Sequence, residues 1–189
     1  MSGRTALSAN HSRRSVEEFA NLLSRAQVQL VADIRTVPRS RTNPQFNRDT
    51  LPDSLAAYQI KYEHVSELGG LRGKQRGAGP SPNTFWDNES FRNYADYALT
   101  ASFRAGLARL RTFGDLHRTA MMCAEAVWWR CHRRIITDYL LASGEAVFHI
   151  LGPERMEEAR MTPSARLVPG CGLVYQPNGP IEGSQGRLE

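Results

Sequence analysis

The residues best equipped for chemistry lie in one run, Met122-Cys-Ala-Glu-Ala-Val-Trp-Trp-Arg-Cys-His-Arg-Arg134, which gathers Cys123, Glu125, Cys131 and His132 where a strand should end and a helix begin. A thiol beside arginines and a helix N-terminus has a lowered pKa, and the thiolate is the nucleophilic form. Glu125 or His132 can then carry the proton, provided both face one cavity. The competing reading stays open: a cysteine at a strand end is a common core residue, and His132 can serve only to cap or pack. Spacing tests two sharper ideas. Cysteine phosphatases place five residues between Cys and Arg so that one loop cradles the anion, whereas Cys123 and Arg130 enclose six. Structural zinc usually shows ligand pairs such as C-x2-C, but seven residues separate Cys123 from Cys131 and no second pair exists, so no metal is expected. Trp128 and Trp129 suit either base stacking or a core or lid position.

Two further runs supply donors for an anion. Asp33-Ile-Arg-Thr-Val-Pro-Arg-Ser-Arg-Thr-Asn-Pro-Gln-Phe-Asn47 sets Arg35, Arg39 and Arg41 with Ser40 between two prolines, a donor-rich loop suited to phosphate or carboxylate. Alternatively these arginines pair with Asp33, Asp49 or Asp53 on a solvated loop. Glu67-Leu-Gly69-Gly70 leads into Arg72, Lys74 and Arg76; paired glycines let backbone amides approach a ligand, and the cations favour phosphate. The run matches neither the P-loop nor the dinucleotide glycine pattern. Arg133 is a further candidate contact. His64 and His149 read as core histidines on strands.

Around these runs stands a chain of 189 residues with a net charge of +5, carried almost wholly by arginine because Lys61 and Lys74 are its only lysines. That length and an apolar fraction of 41% predict one globular domain with a sizeable core and exclude wholesale disorder. The N-terminus lacks the apolar centre of a signal peptide and no run approaches a membrane span, so a soluble cytoplasmic protein is expected. Cys123, Cys131 and Cys171 are expected to be free thiols.

The elements that must position the candidates follow from periodicity. A helix is expected from Ser15 to Gln27 behind a capping box at Ser15 and Glu18, then a doubly covered strand from Val28 to Ile34. A helix over Asn47 to Tyr58 and a strand over Ile60 to Val65 precede a long loop from Glu67 to Asn88. Helices over Glu89 to Tyr97 and Ser102 to Phe113, a strand over Thr119 to Cys123, a helix over Cys131 to Ser143 and a strand over Ala146 to Leu151 complete the pattern. Residues 153–189, rich in proline and glycine, are expected to form an irregular tail with at most a short helix near Glu154 to Arg160, leaving residues 1–152 as the domain. Alternating strands and helices predict an α/β single-domain three-layer sandwich around a mostly parallel sheet. In such sheets ligands bind beyond the carboxyl ends of the strands, where all three runs fall.

With DIRTVPRSRTNPQFN, ELGG and MCAEAVWWRCHR in place, residues 8–152 resemble the bacterial domain-of-unknown-function family 488. The resemblance implies a compact α/β domain with a parallel sheet and no settled activity. Its motif positions here are Asp33, Arg35, Pro38, Arg39, Ser40, Pro44, Phe46, Glu67, Gly69, Gly70, Cys123, Glu125, Cys131, His132 and Arg133. One departure falls at the N-terminus, where the family strand resembles Thr-Ile-Gly-His-Ser; here Ser8-Ala-Asn-His-Ser12 keeps His11 and Ser12 but has Asn10 for the glycine, which predicts a weakened first strand.

Two functional classes follow. The first is an anion site of Arg35, Arg39, Ser40, Arg41, Glu67, Gly69, Gly70 and Arg133 that binds a nucleotide-like or phosphorylated ligand, with Cys123, Glu125, Cys131 and His132 acting on it. The second is a non-enzymatic nucleic-acid-binding or interaction domain using the basic surface from Arg39 to Arg76. The cofactor and oligomeric state are left open.

Overall fold

The computed structural model describes residues 5–11, 14–75 and 79–177; Ser12 and Arg76, two residues singled out above, lie outside them. Its frame is a six-stranded sheet containing β1 (Thr5–Asn10), β2 (Leu30–Asp33), β3 (Lys61–His64), β4 (Thr119–Cys123), β5 (Ala146–Gly152) and β6 (Arg155–Glu158), in the order β3-β2-β4-β1-β5-β6. The first five strands are mutually parallel and β6 runs antiparallel along the edge of β5. All five parallel strands therefore end on one side of the sheet.

Side-chain alternation divides the core into two layers. Val31, Ala120 and Met122 point to the face covered by α1 (Val16–Arg25) and α2 (Leu51–Ala56), where Phe19, Leu22, Leu23, Leu51 and Leu55 meet them. Leu30, Ala32, Met121 and Cys123 point to the other face, under α3 (Glu89–Tyr97), α4 (Ala101–Leu116) and α5 (Arg133–Ala142). A strand apolar at nearly every position is what such two-sided burial requires. The result is the expected α/β three-layer sandwich around a largely parallel sheet. The capping box also forms: Ser15 Oγ accepts from the Glu18 amide at 3.0 Å and the Glu18 carboxylate accepts from the Ser15 amide at 2.8 Å.

Two expectations are corrected. β1 is not weak: it lies in the middle of the sheet between β4 and β5, with Leu7 and Ala9 fully buried. Asn10 is accommodated where glycine was expected because Arg14 binds both its side-chain oxygen, at 2.7 Å, and its carbonyl, at 2.9 Å. Nor are residues 153–177 irregular, the remainder of the expected tail, 178–189, lying outside the described residues. The segment expected as a short helix is the strand β6, since pairing to the open edge of β5 outweighs the helical propensity of its Met and Glu residues.

Beyond it, β7 (Ala165–Val168) and β8 (Gly172–Tyr175) form a hairpin whose turn places Gly170 at φ +73°. Tyr175 is buried, donates through its hydroxyl to Asp138 at 3.0 Å, and its amide donates to Asn83 at 2.9 Å. These bonds fasten the segment to α5 and to the long loop. Among the described residues no helix is long and apolar enough to cross a membrane.

Candidate functional site

At the carboxyl end of the sheet, β4 stops at Cys123, and the chain passes through one 3-10 turn, Trp128–Arg130, before α5 begins behind His132. The His132 carbonyl accepts the Ile135 amide at 3.0 Å and the Cys131 carbonyl accepts the Arg134 amide at 2.9 Å, so Cys131 sits at the N-terminal mouth of a ten-residue helix. Folding thus closes the seven-residue interval. One ligand atom each from Cys123, Cys131 and His132 all lie within 4.8 Å of one another. Cys131 Sγ is 3.6 Å from His132 Nδ1, while His132 Nε2 lies 3.0 Å from the Ile34 carbonyl at the end of β2. A carbonyl can only accept, so Nε2 carries a proton and Nδ1 is the nitrogen presented to the sulfur.

Arg133 holds the cluster from behind. Only 1% exposed, it donates to the Ala9 carbonyl and to the Glu125 carbonyl, each at 2.5 Å, and through Nε to Cys131 Sγ at 3.3 Å. It therefore ties together the end of β1, the loop after β4 and the thiol. Burial opposes ionisation of Cys131, yet the neighbouring Cys123 thiol, the His132 ring and Arg133 together draw its pKa well below the ordinary thiol value. Cys123, buried against the same sulfur, is pushed up by Cys131 and by its burial. Of the two sulfurs, Cys131 is the one its surroundings favour as thiolate and Cys123 the one they favour as thiol.

Gly70 belongs to the same construction. A Cβ there would overlap the His132 imidazole, and one on Gly69 would come within 2.6 Å of Thr36 Oγ1. The glycine pair is a slot through which the 69–71 backbone passes between Thr36 and His132. The Gly69 carbonyl is occupied internally: Arg72 donates to it at 2.9 Å and to the Ser66 carbonyl at 2.8 Å, with its guanidinium over the Tyr97 ring.

A cavity of about 310 Å³ opens over the cluster. Cys123, Glu125, Cys131 and His132 line it together with Arg35, Gly70 and Arg130. Its remaining wall is mainly apolar, from Val37, Leu71, Phe91 and Tyr94, and the last of these is anchored by a hydroxyl bond of 2.8 Å to the Leu68 carbonyl. Glu125 is exposed, and its carboxylate accepts the Val127 amide at 3.2 Å.

The arginine loop is arranged differently from a three-armed clamp. Arg35 is buried and paired with Asp33, Nη2 to Oδ2 at 2.5 Å, and also donates to the Phe46 carbonyl at 2.7 Å. Tyr62 completes the network by donating to Asp33 at 2.6 Å. Burial alone would lower the Arg35 pKa, but Asp33 more than offsets it, and the Tyr62 hydroxyl is raised by burial and by the same carboxylate. Arg39 and Arg41 are exposed and do not line the cavity. Ser40 shapes its own loop, donating its amide to Asn47 at 2.6 Å and accepting the Asn43 amide at 3.1 Å. Glu67, also outside the cavity, gives its carbonyl to Tyr97 at 2.7 Å and faces Arg109.

Of the candidate residues, the cavity unites Cys123, Glu125, Cys131, His132, Arg35 and Gly70; Arg39, Ser40, Arg41, Glu67, Gly69 and Arg133 stand outside its lining. Sequence reading missed Phe91 and Tyr94, whose three-residue spacing on α3 looks the same as a core face, and Arg130, which lay unassigned inside the cysteine motif. Of the two histidines read as core, His149 is buried and stacked on Trp128 at 4.1 Å, whereas His64 is half-buried against the Arg35 carbonyl at 2.9 Å. Cys171 sits between β7 and β8 and does not line the cavity.

A largely parallel α/β sandwich with a buried thiol, a half-buried imidazole and a buried guanidinium assembled at its carboxyl edge defines the class of this protein. The model of the family described as Domain of unknown function DUF488 matches residues 15–140, and the chain belongs to that family. No curated protein and no solved structure matches it.

Proposed function

We propose that this protein is an enzyme of covalent group transfer, in which the Cys131 thiolate attacks an electrophilic carbon of a small nucleotide-like or phosphorylated ligand held in the cavity. The observation that carries this reading is the 3.6 Å approach of His132 Nδ1 to Cys131 Sγ at the wall of a cavity large enough for a small molecule. As the S–C bond forms, the bond from that carbon to its leaving group breaks; His132 takes the thiol proton at Nδ1 and returns it to that leaving group. A second nucleophile, water or an acceptor hydroxyl or amine, then displaces the group from sulfur and restores the thiolate. The Ile34 carbonyl keeps the ring in that orientation. The Phe91 and Tyr94 rings suit a flat heterocycle, and Arg130 at the exposed rim suits one anionic group.

Thermal-shift screening against nucleoside monophosphates and sugar phosphates, at low and high salt, tests the reading. A stabilising small ligand should lose its effect in Arg130→Gln and keep it in Cys131→Ser, which should bind without turnover. A silent panel, or an effect untouched by Arg130→Gln, would overturn the anion-bearing ligand. A second reading, oligonucleotide binding, draws on Arg39 and Arg41, which are exposed clear of the cavity. It predicts affinity that falls steeply with salt as counterions are released.

A further inference from the structure

The separation of Cys123 and Cys131 in sequence argues against a metal because zinc ligands commonly pair on one tight loop. The fold removes that objection by a different route. It sets one sulfur at the end of β4 and the other, with its neighbouring imidazole, at the start of α5, and these two ends face each other across the carboxyl edge of the sheet. We propose that Cys123, Cys131 and His132 form a site for one soft divalent cation of the zinc class, with the fourth coordination position open to the cavity.

Four observations support it. The first is dimension. Tetrahedral zinc with bonds of about 2.3 Å to sulfur and about 2.0 Å to nitrogen separates those two atoms by about 3.5 Å and two sulfurs by about 3.8 Å. The Cys131 Sγ to His132 Nδ1 distance is 3.6 Å, and no pair in the cluster exceeds 4.8 Å. The second is orientation. A metal-binding histidine characteristically gives its other ring N–H to a carbonyl or carboxylate, and His132 Nε2 is already fixed on the Ile34 carbonyl at 3.0 Å.

The third is the support of the sulfur. Arg133 Nε donates to Cys131 Sγ at 3.3 Å from a fully enclosed position, and such a bond persists when a thiolate binds an ion. The fourth is access: all three ligands line the cavity, so three protein donors and one open position match the pattern of catalytic rather than structural zinc. Two sulfurs and an imidazole select soft or borderline ions over magnesium or calcium.

This inference stands beside the nucleophile reading and does not rest on it. A bound ion takes the Cys131 lone pair, so the two readings describe the metal-loaded and the metal-free chain. The test is titration of the chelator-treated full-length protein with Co²⁺ alone. One equivalent should produce the strong visible bands of a tetrahedral cobalt site and near-ultraviolet thiolate-to-cobalt charge transfer, and Zn²⁺ should erase both stoichiometrically. Cys123→Ser and His132→Gln should each weaken binding more than about 100-fold, beyond the 10- to 100-fold typical of losing an outer partner. Cys171→Ser should bind as the wild type.

Circular dichroism on each variant identifies any that fails to fold, and either folded ligand variant alone decides the matter. Absence of tetrahedral bands in the folded wild type, or their survival in a folded ligand variant, overturns the site. Iodoacetamide labelling of Cys131 in the same metal-free sample reads the other proposal separately. A labelled Cys131 without a cobalt spectrum sinks the metal alone, and a cobalt site with an inert Cys131 sinks the nucleophile alone.

Discussion

Replacing Gly70 by alanine tests the local logic of the site with a single methyl group. Its Cβ would land on the His132 imidazole, closer than any real Cβ contact, so the ring or the 69–71 backbone must yield. The ring is braced by its bond to the Ile34 carbonyl at 3.0 Å and by the Tyr94 ring, packed edge-on with centroids 5.0 Å apart. Restoring an ordinary contact takes a retreat of about 1 Å, and a misplacement of that size costs on the order of 100-fold where reactive groups must be aligned. The overpacking itself should cost about 1–3 kcal/mol.

The assay needs no substrate: the rate at which iodoacetamide labels Cys131 in chelator-treated protein, followed on the Cys131 peptide by mass spectrometry. Gly70→Ala should label Cys131 some 10- to 100-fold more slowly, because the imidazole that favours the thiolate has been moved off the sulfur. Gly73→Ala, where an added Cβ meets nothing within 4 Å, should label at the wild-type rate and serve as the control. Labelling at the wild-type rate in a destabilised Gly70→Ala protein would refute the reasoning. It would mean that the glycine is needed only for packing and that His132 does not govern the thiol.

The buried Asp33–Arg35 pair and the half-exposed Glu63–Arg109 pair make a contrast that urea denaturation can read. Asp33→Asn should cost about 3–5 kcal/mol, because it leaves a buried guanidinium without its counter-charge, whereas Glu63→Gln should cost no more than about 1 kcal/mol; equal losses would show that the Asp33 network is not what holds the 35–47 loop. Acid should also find His149. Burial first, and then Arg133, lowers its pKa from 6.5 to about 4, so the folded chain resists a proton that the unfolded chain accepts. The sign follows: this contribution is whole above about pH 6.5, declines as pH falls toward 4, and changes no further below it, with an upper limit of about 3 kcal/mol. His149→Gln should flatten the stability profile across that window, and an unchanged slope would remove His149 as its source.

Legibility differed by the range of the forces involved. The capping box at Ser15, the apolar run of β2 and the amphipathic stripe of α5 are local patterns, and each produced the element it implied. The strength of β1 and the strand character of β6 are not legible locally because both come from partners. Asn10 is stabilised by Arg14 and by its place between two strands, and the exposed residues of β6 have no apolar alternation at all, only the free edge of β5 to pair with. The β7–β8 hairpin likewise owes its order to Tyr175 reaching Asp138 and Asn83, residues far away in sequence.

The same distinction explains the candidate site. Strand-end position brought the DIR, ELGG and cysteine runs to one edge, since the carboxyl ends of parallel strands must converge. It could not assign them their work. Arg35 and Arg133, two of the arginines that composition offered for an anion, are buried girders: one is neutralised by Asp33, and the other is spent on two carbonyls and a sulfur. Arg39 and Arg41 are left in solvent, and Arg130 takes the rim of the cavity. An arginine in sequence is only a charge with a reach. Whether it meets a ligand depends on which nearby carboxylates and carbonyls lack donors, and here the ends of β1 and β2 claim two guanidinium groups before any ligand can. Arg133 thereby holds Cys131 against the end of β1 and the loop after β4, and Arg35 fastens the loop that follows β2, so the cations nearest the thiol shape the cavity rather than fill it.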